Sequence, residues 1–186
     1  MSTDEQLIER TLSGDREAFG LLVAKYQERL YRTALAILHD TEEAQDVVQE
    51  TFLQAFVNLA GFRRSSRFYT WLYRISYNVA VGMLRQKKRS VPADRMTEES
   101  WGNLAGRSES PEERQSRAES VEILRSALAR LPVEYRVPMV LREIEGASYD
   151  EIAEIVEIPL GTVRSRLFRA RTILREIISR YEKDLS

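Results

Sequence analysis

Apolar residues recur along this chain at steps of three and four, the period of one face of an α-helix. Between Arg16 and Leu38 the positions Phe19, Leu22, Tyr26, Leu30, Thr33 and Ile37 share such a face. Asp40, with Glu43 three residues on, has the form of a helix start. Ala44, Val48, Thr51, Ala55 and Leu59 continue one face after it, with Val47, Phe52 and Phe56 alongside, and Gly61 closes the segment. From Ser66 to Arg89 a further stripe runs through Phe68, Leu72, Ile75, Val79 and Met83. Gly82 interrupts that helix at a cost of about 1 kcal/mol relative to Ala. No alternating run and no Asn-Gly pair signals a strand or hairpin. The pattern predicts an all-α fold.

The period lapses from Ser90 to Glu109, where Pro92, Gly102, Gly106 and several Ser stand among few apolar residues. This reads as a flexible linker. Trp101 within it packs locally or lies exposed; the alternative is an anchor for a partner. At Ser110-Pro111-Glu112-Glu113 helix signals resume, with Ser as cap and Pro in the first turn. The chain therefore divides into two small helical domains, 1–90 and 110–186, with a flexible linker over 91–109.

In the second domain Val121, Leu124, Leu128 and Leu131 form one face, ended by Pro132. A helix follows from about Val133 to Glu145, ended by Gly146, and Pro138 within it suits only the first turn. Ser148 and Glu151 have the spacing of a capping box and open a short helix with Ile152, Ala153, Ile155 and Val156. Glu157 to Gly161 reads as a tight turn. The last helix carries Val163, Leu167, Ala170, Leu174, Ile177 and Tyr181 on one stripe. A capped short helix, a brief turn and a second helix with a strict apolar face is the signature of a helix-turn-helix, and the small Ala153 lets the two cross closely.

The second helix of that unit shows the solvent a different set. Arg164, Ser165, Phe168, Arg169, Arg171 and Arg175 lie off the apolar stripe. Ser and Arg near a helix start can reach base edges in the major groove, and an exposed ring suits a thymine methyl. Arginines farther along match phosphates. The candidate DNA-reading set is Thr162, Arg164, Ser165, Arg166, Phe168, Arg169 and Arg171.

Charge sharpens this reading. The 186 residues carry a net charge of only −1, but its distribution is blocky. Phe62 to Ser90 holds Arg63, Arg64, Arg67, Arg74, Arg85, Lys87, Lys88 and Arg89 without an acid. Arg164 to Arg175 is likewise basic only, whereas Asp40 to Glu50 is acidic only. Two separate basic stripes suit two contacts with a polyanion. One stripe alone would read as a solvated helix face.

The chain has no Cys and one His, which excludes disulfides, thiol catalysis and multi-His metal clusters. No Gly-rich phosphate loop or nucleophile motif is present, so neither an enzyme nor a cofactor is expected. His39, beside Asp40 at a helix end, reads as a terminus residue. No run approaches the roughly 20 apolar residues of a membrane span, and MSTDEQLIERT is too polar for a secretory signal. The expected location is cytoplasmic.

Three segments in order carry a resemblance. Asp46-Val47-Val48-Gln49-Glu50-Thr51-Phe52 is similar to the polymerase-binding helix of bacterial RNA polymerase sigma factors of the extracytoplasmic-function group, within the sigma-70 superfamily. Phe68-Tyr69-Thr70-Trp71-Leu72-Tyr73-Arg74-Ile75, followed by Asn78, resembles that group's start-proximal (−10) promoter element reader. Gly146 to Arg171, with Ser148 to Ala153 and Ile158 to Leu167, resembles its upstream (−35) reader. Phe62-Arg63-Arg64-Ser65-Ser66 departs from the family, which often has Gly after the first Arg.

The resemblance implies a transcription initiation factor whose partners are core RNA polymerase, promoter DNA and an anti-sigma factor, often membrane-anchored, with no small-molecule substrate. It implies attachment through Asp46, Gln49 and Glu50, with Phe52 or Leu53 adding apolar area. Acids near a helix start also offset the helix dipole, which suits Glu42 and Glu43. Phe62, Arg63, Arg64, Arg67, Trp71, Arg74 and Asn78 form the set expected to meet the start-proximal element and its melted strand. Aromatics among cations suit single-stranded DNA, rings stacking on bases and Arg holding phosphates. Trp71 is as well explained as core, and Asn78 as a packing residue. A freestanding helix-turn-helix regulator is the alternative, and a helical adaptor without nucleic acid a weaker one. Two unlike DNA-reading elements and no dimer seam favour the initiation factor.

Overall fold

The computed structural model describes residues 3–63, 66–90 and 123–184, with side chains of 88–90 and 181–184 excluded. Arg64, Ser65, the linker over 91–109 with Trp101, the helix start at Ser110 and Val121 lie outside the described residues, as does the side chain of Tyr181. Every described element is helical.

Helix α1, Asp4–Leu12, was not anticipated from the polar N-terminus. Thr3 caps it reciprocally with Gln6: the Gln6 amide donates to Thr3 Oγ1, and the Thr3 amide to Gln6 Oε1 at 2.9 Å. Gly14, at a φ of +100°, reverses the chain. Asp15 then caps α2, Arg16–Leu38, accepting the amides of Glu17 and Ala18. The expected face of α2 is buried throughout. His39 ends it in the left-handed conformation, its amide donating to the Leu35 carbonyl at 2.9 Å.

Asp40 caps α3, Thr41–Asn58, through the Glu43 amide, and a 3₁₀ turn over Leu59–Gly61 follows. In α4, Phe68–Ser90, the buried face is rotated from the expected stripe. Phe68 and Leu72 are inside with Tyr73, Ser76 and Ala80, while Ile75, Val79 and Met83 are half-buried. The reason is that α4 packs on α2 and α3 and also on a helix of the second unit.

That unit begins with α5, described over 123–129. Leu128 and Leu131 are buried as expected, but Leu124 of the same stripe is exposed and Ala127 turns inward in its place. Helix α6, Val133–Glu143, ends earlier than expected and is continuous through Pro138, which stands in its second turn and not, as expected, in its first. Losing one amide donor there is offset by burial of Val137, Met139, Val140 and Leu141 on both sides of the ring. Helices α7, Tyr149–Val156, and α8, Leu160–Asp184, pack on each other and on α6.

The two units lie against one another, α4 on α7 and α2 on α6. Their buried side chains form one continuous apolar cluster. Among the described residues no helix is long and apolar enough to cross a membrane.

Candidate nucleic-acid interface and partner surface

The helix-turn-helix is built as its sequence suggests. The Glu151 amide donates to Ser148 Oγ at 3.2 Å, and the Ser148 amide to Glu151 Oε2 at 2.8 Å, so the start of α7 is satisfied in both directions. Glu157 takes a left-handed conformation, φ 56°, with its amide on the Ala153 carbonyl. The Pro159 carbonyl accepts Thr162 and Val163 amides at 2.8 and 3.1 Å, which starts α8. Val163, Leu167 and Ala170 are fully buried against α6 and α7. The stripe thins beyond them, since Leu174 and Ile177 are only half-buried.

That packing turns the other face of α8 outward. Arg164, Ser165, Phe168, Arg169 and Arg171 are exposed, Thr162 and Arg166 half so. Phe168 is 72% exposed, with no apolar reason within its own helix to be Phe. Two of the arginines have partners inside the unit: Arg171 Nη2 lies 3.1 Å from Glu143 Oε1, and Arg169 Nη1 is 3.4 Å from the Tyr135 hydroxyl. Arg164 and Arg166 stand at the end of α8 that points to the turn, where a duplex groove would be met first.

The second basic region is organised around an aromatic platform. Phe62, Phe68 and Trp71 pack with ring centroids 5.1 to 5.8 Å apart. Phe68 is buried and anchors the other two, which stay half-buried. Trp71 therefore combines a packing role with an accessible edge. Arg63 and Asn78 are exposed, and Arg74 is 40% exposed. Arg67 lies 3.4 Å from Glu151, and Arg74 lies 3.9 Å from Glu157. Both acids belong to the helix-turn-helix unit, a pairing with no signal in the local sequence.

On α3, Asp46, Gln49 and Glu50 are exposed, as expected. Glu50 is braced by Gln54 Nε2 at 2.7 Å. Phe52 is the correction: it is buried, its ring edge-on to Phe19 at 6.4 Å, and it offers no apolar area to a partner. The apolar surface lies one position on. Leu53 is 58% exposed and Val57 70%, with Phe56 beside them. Leu53 and Val57 share a face because they are four residues apart. The sequence pattern places Phe56 only alongside the core stripe and passes over Val57, because helical period alone does not reveal which flank of the stripe faces the core.

Comparison with known proteins agrees with this architecture. Residues 22–90 match the model for sigma-70 region 2, and residues 121–174 that for sigma-70 region 4. The RNA polymerase sigma-H factor of Pseudomonas aeruginosa is 43% identical over 173 residues, 90% of either chain. The ECF RNA polymerase sigma-E factor of Haemophilus influenzae is 39% identical over 181 residues, 95% of either chain. Among solved structures, CnrH in complex with the cytosolic domain of CnrY superposes with a TM-score of 0.69 at 28% identity, over 95% of this chain and 97% of that one. The sigma factor RpoE from Bartonella quintana, solved with the anti-sigma factor NepR, shares the fold with a TM-score of 0.72 at 24% identity, over 87% and 96%. With both regions matched in order and relatives aligned along nearly their whole length, the chain belongs to the extracytoplasmic-function sigma factors of the sigma-70 superfamily.

Proposed function

We propose that this promoter-specific transcription initiation factor divides its work between the two helical units, 1–90 and 110–186, joined by 91–109. The first unit attaches to core RNA polymerase through the outward face of α3, where Asp46, Gln49 and Glu50 border the apolar area of Leu53 and Val57. An acidic rim around exposed apolar residues suits a basic, partly apolar partner surface. The Phe62–Trp71 platform with Arg63, Arg64, Arg67, Arg74 and Asn78 engages the start-proximal element once its strand is open. The second unit reads the upstream element as duplex, Arg164, Ser165, Phe168 and Arg169 at base edges and Arg166 and Arg171 on phosphates.

One observation carries this reading above all: a capped helix-turn-helix whose second helix buries Val163, Leu167 and Ala170 while holding Phe168 in solvent among arginines. A surface ring in that position has a use against a base-pair edge and none in the unit's own packing.

The chain acts without a cofactor and is not itself an enzyme; the polymerase supplies the chemistry. Its place of work is the cytoplasm, and its regulator is an anti-sigma factor, often membrane-anchored in this group. The CnrH structure, solved with the cytosolic domain of a second protein, CnrY, supports a protein partner.

Run-off transcription with purified core polymerase tests the reading. Adding the chain should yield transcripts from promoters on which the core alone is silent. An Asp46→Lys, Gln49→Ala chain should fold normally but fail to co-purify with the core. A wild-type chain that binds promoter fragments as a dimer and leaves core transcription unchanged would make it a freestanding regulator instead.

A further inference from the structure

Gly82 lies deep inside α4, where every residue but Pro forms helix more readily. Three needs ordinarily justify a Gly: a positive φ, a neighbouring group too close for a Cβ, or a partner that must approach the backbone itself. The first two do not hold. Among the described residues the glycines of positive φ are Gly14 and Gly146. A Cβ added at Gly82 would meet nothing within 4 Å among the described residues. The helix would accept Ala there and gain stability, so the need for Gly lies outside the packing of α4.

The surroundings of Gly82 indicate what approaches. On a helix the neighbours of a residue stand three and four positions away. For Gly82 these are Asn78 and Val79 on one side and Arg85 and Gln86 on the other. Asn78, Arg85 and Gln86 are exposed, and Val79 is half-buried. Trp71, Arg74, Asn78, Gly82 and Arg85 follow one another at steps of three, four, four and three, so Gly82 is a dip in one ridge of α4. That ridge is polar and cationic, and Phe62 to Ser90 holds no acid to repel an anion. A sugar–phosphate chain finds hydrogen-bond donors and positive charge on both sides of the dip.

Side chains ordinarily hold a partner away from a helix. The Cα atoms run about 2.3 Å from the axis and the side-chain envelope about 5–6 Å from it. At Gly82 a sugar or phosphate settles onto the helix backbone, where Cα–H groups add weak contacts to oxygen. A strand seated that low brings its bases within reach of a short side chain such as Asn78.

We propose that Gly82 is the seat of the captured strand: its sugar–phosphate backbone rests on α4 there, and the missing side chain sets the depth at which Asn78 reads the adjoining base. The seat rests on the reading of α4 as the strand-capturing helix, and the depth on Asn78 as the reader.

Gly82→Ala is the test and Gly20→Ala its control, since Gly20 is exposed within α2 and equally open to a Cβ among the described residues. Both chains should melt about 2–4 °C above the parent, because Ala favours helix. Anisotropy with a labelled, pre-opened promoter template, on which no base has to be unpaired, then separates their holoenzymes. Gly82→Ala should bind about tenfold more weakly, the loss of one good contact, and Gly82→Leu more weakly still. Gly20→Ala should bind as the parent does. The preference at the base that Asn78 reads should vanish in Gly82→Ala, and adding Asn78→Ala should then weaken binding no further.

A Gly82→Ala holoenzyme with the parent's affinity and base preference, beside a loss in Asn78→Ala or Arg74→Ala, overturns the seat alone. If all three variants bind as the parent does, the strand-capturing reading of α4 fails and the seat with it. A Gly82→Ala chain that melts below the parent overturns the seat, because part of the chain itself then fills the space. Equal weakening by Gly20→Ala overturns it as well, since helix stiffness and not contact would then account for the loss. Fully additive losses in the Gly82→Ala, Asn78→Ala chain overturn the depth setting.

Discussion

Arg136 of α6 donates Nη1 to the carbonyl oxygen of Ile37 in the last turn of α2, at 2.6 Å. Its Nη2 serves the carbonyls of Ala129 and Leu131, each at 2.8 Å. One guanidinium thus ties the end of a first-unit helix to the α5–α6 corner of the second unit. Helix-terminal carbonyls lack partners within the helix, and a buried one needs a donor from elsewhere. Burial lowers the pKa of Arg136 to about 10, still leaving it charged at neutral pH. Arg136→Met keeps the length and loses the donors. Since hydrogen bonds from a charged group contribute about 1.5–3 kcal/mol and orphaned carbonyls add to the loss, the variant should be at least about 2 kcal/mol less stable. Urea unfolding followed by circular dichroism checks this; an unchanged midpoint would show that water replaces the guanidinium.

His39, at the adjoining end of α2, makes stability depend on pH. Burial, then the charges of Arg136 and Arg125, push its pKa down to about 4 from the usual 6.5. The fold prefers the neutral ring. The unfolded chain takes up a proton near pH 6.5 and the folded one only near 4, so the stability this site contributes is intact above pH 6.5 and is lost as pH falls toward 4. The loss amounts to about 2–3 kcal/mol. His39→Asn keeps the left-handed turn, which Asn tolerates, and removes the titration. Its stability should fall less steeply than the parent's between about pH 7 and about pH 4.5. Parallel slopes for the two chains would rule the site out.

Much of this organisation is legible in the sequence and some of it is not, for separable reasons. The Ser148–Glu151 capping box and the outward set on α8 follow from local spacing, because cap geometry and helical period are local. Helix α1 escapes notice because only Leu7 and Ile8 are buried in it and its acids resemble a solvated tail. Phe52 and Leu53 are neighbours of equal apolarity. Only the position of Phe19 on another helix decides that the ring goes inside and the Leu stays out. The expected stripe of α4 is displaced for a kindred reason: Tyr73 turns toward Glu145, 72 positions away. Pairings such as Arg67 with Glu151 depend on tertiary approach, which no period encodes.

The recognition helix separates two kinds of arginine contact. Arg164 is exposed at the leading end of α8. Arg164→Ala in the holoenzyme should cost about 1–3 kcal/mol on the preferred promoter and relax selectivity at one base position. Arg166, half-buried beside the helix, should act on phosphate: its loss weakens all sequences alike and reduces the salt slope by about one. Binding to a panel of single-base promoter variants at several salt concentrations distinguishes them. Unchanged selectivity in Arg164→Ala would mean that α8 enters the groove by a different edge.

Strand opening makes the most specific demand on the first unit. Unpairing a base costs a few kcal/mol, so the protein must offer contacts that only the open strand can use. Stacking on an aromatic surface supplies about 1–3 kcal/mol per base, and the half-buried Phe62–Trp71 pair, held from below by Phe68, is such a surface. Asn78 is exposed two turns along α4 from Trp71, and its amide has both donor and acceptor for a base's pairing edge. Asn78 contributes nothing to the core, so Asn78→Ala should leave stability within about 0.5 kcal/mol of the parent. The holoenzyme carrying it should still find the upstream element in duplex DNA. It should open the start-proximal region less often, or lose its preference at one base there, and a pre-opened template should relieve the opening defect. Permanganate reactivity of unpaired thymines, compared on duplex and pre-opened templates, reads both effects. Normal opening with normal base preference would remove Asn78 from the strand-capturing set and leave the aromatic pair and the arginines to act alone.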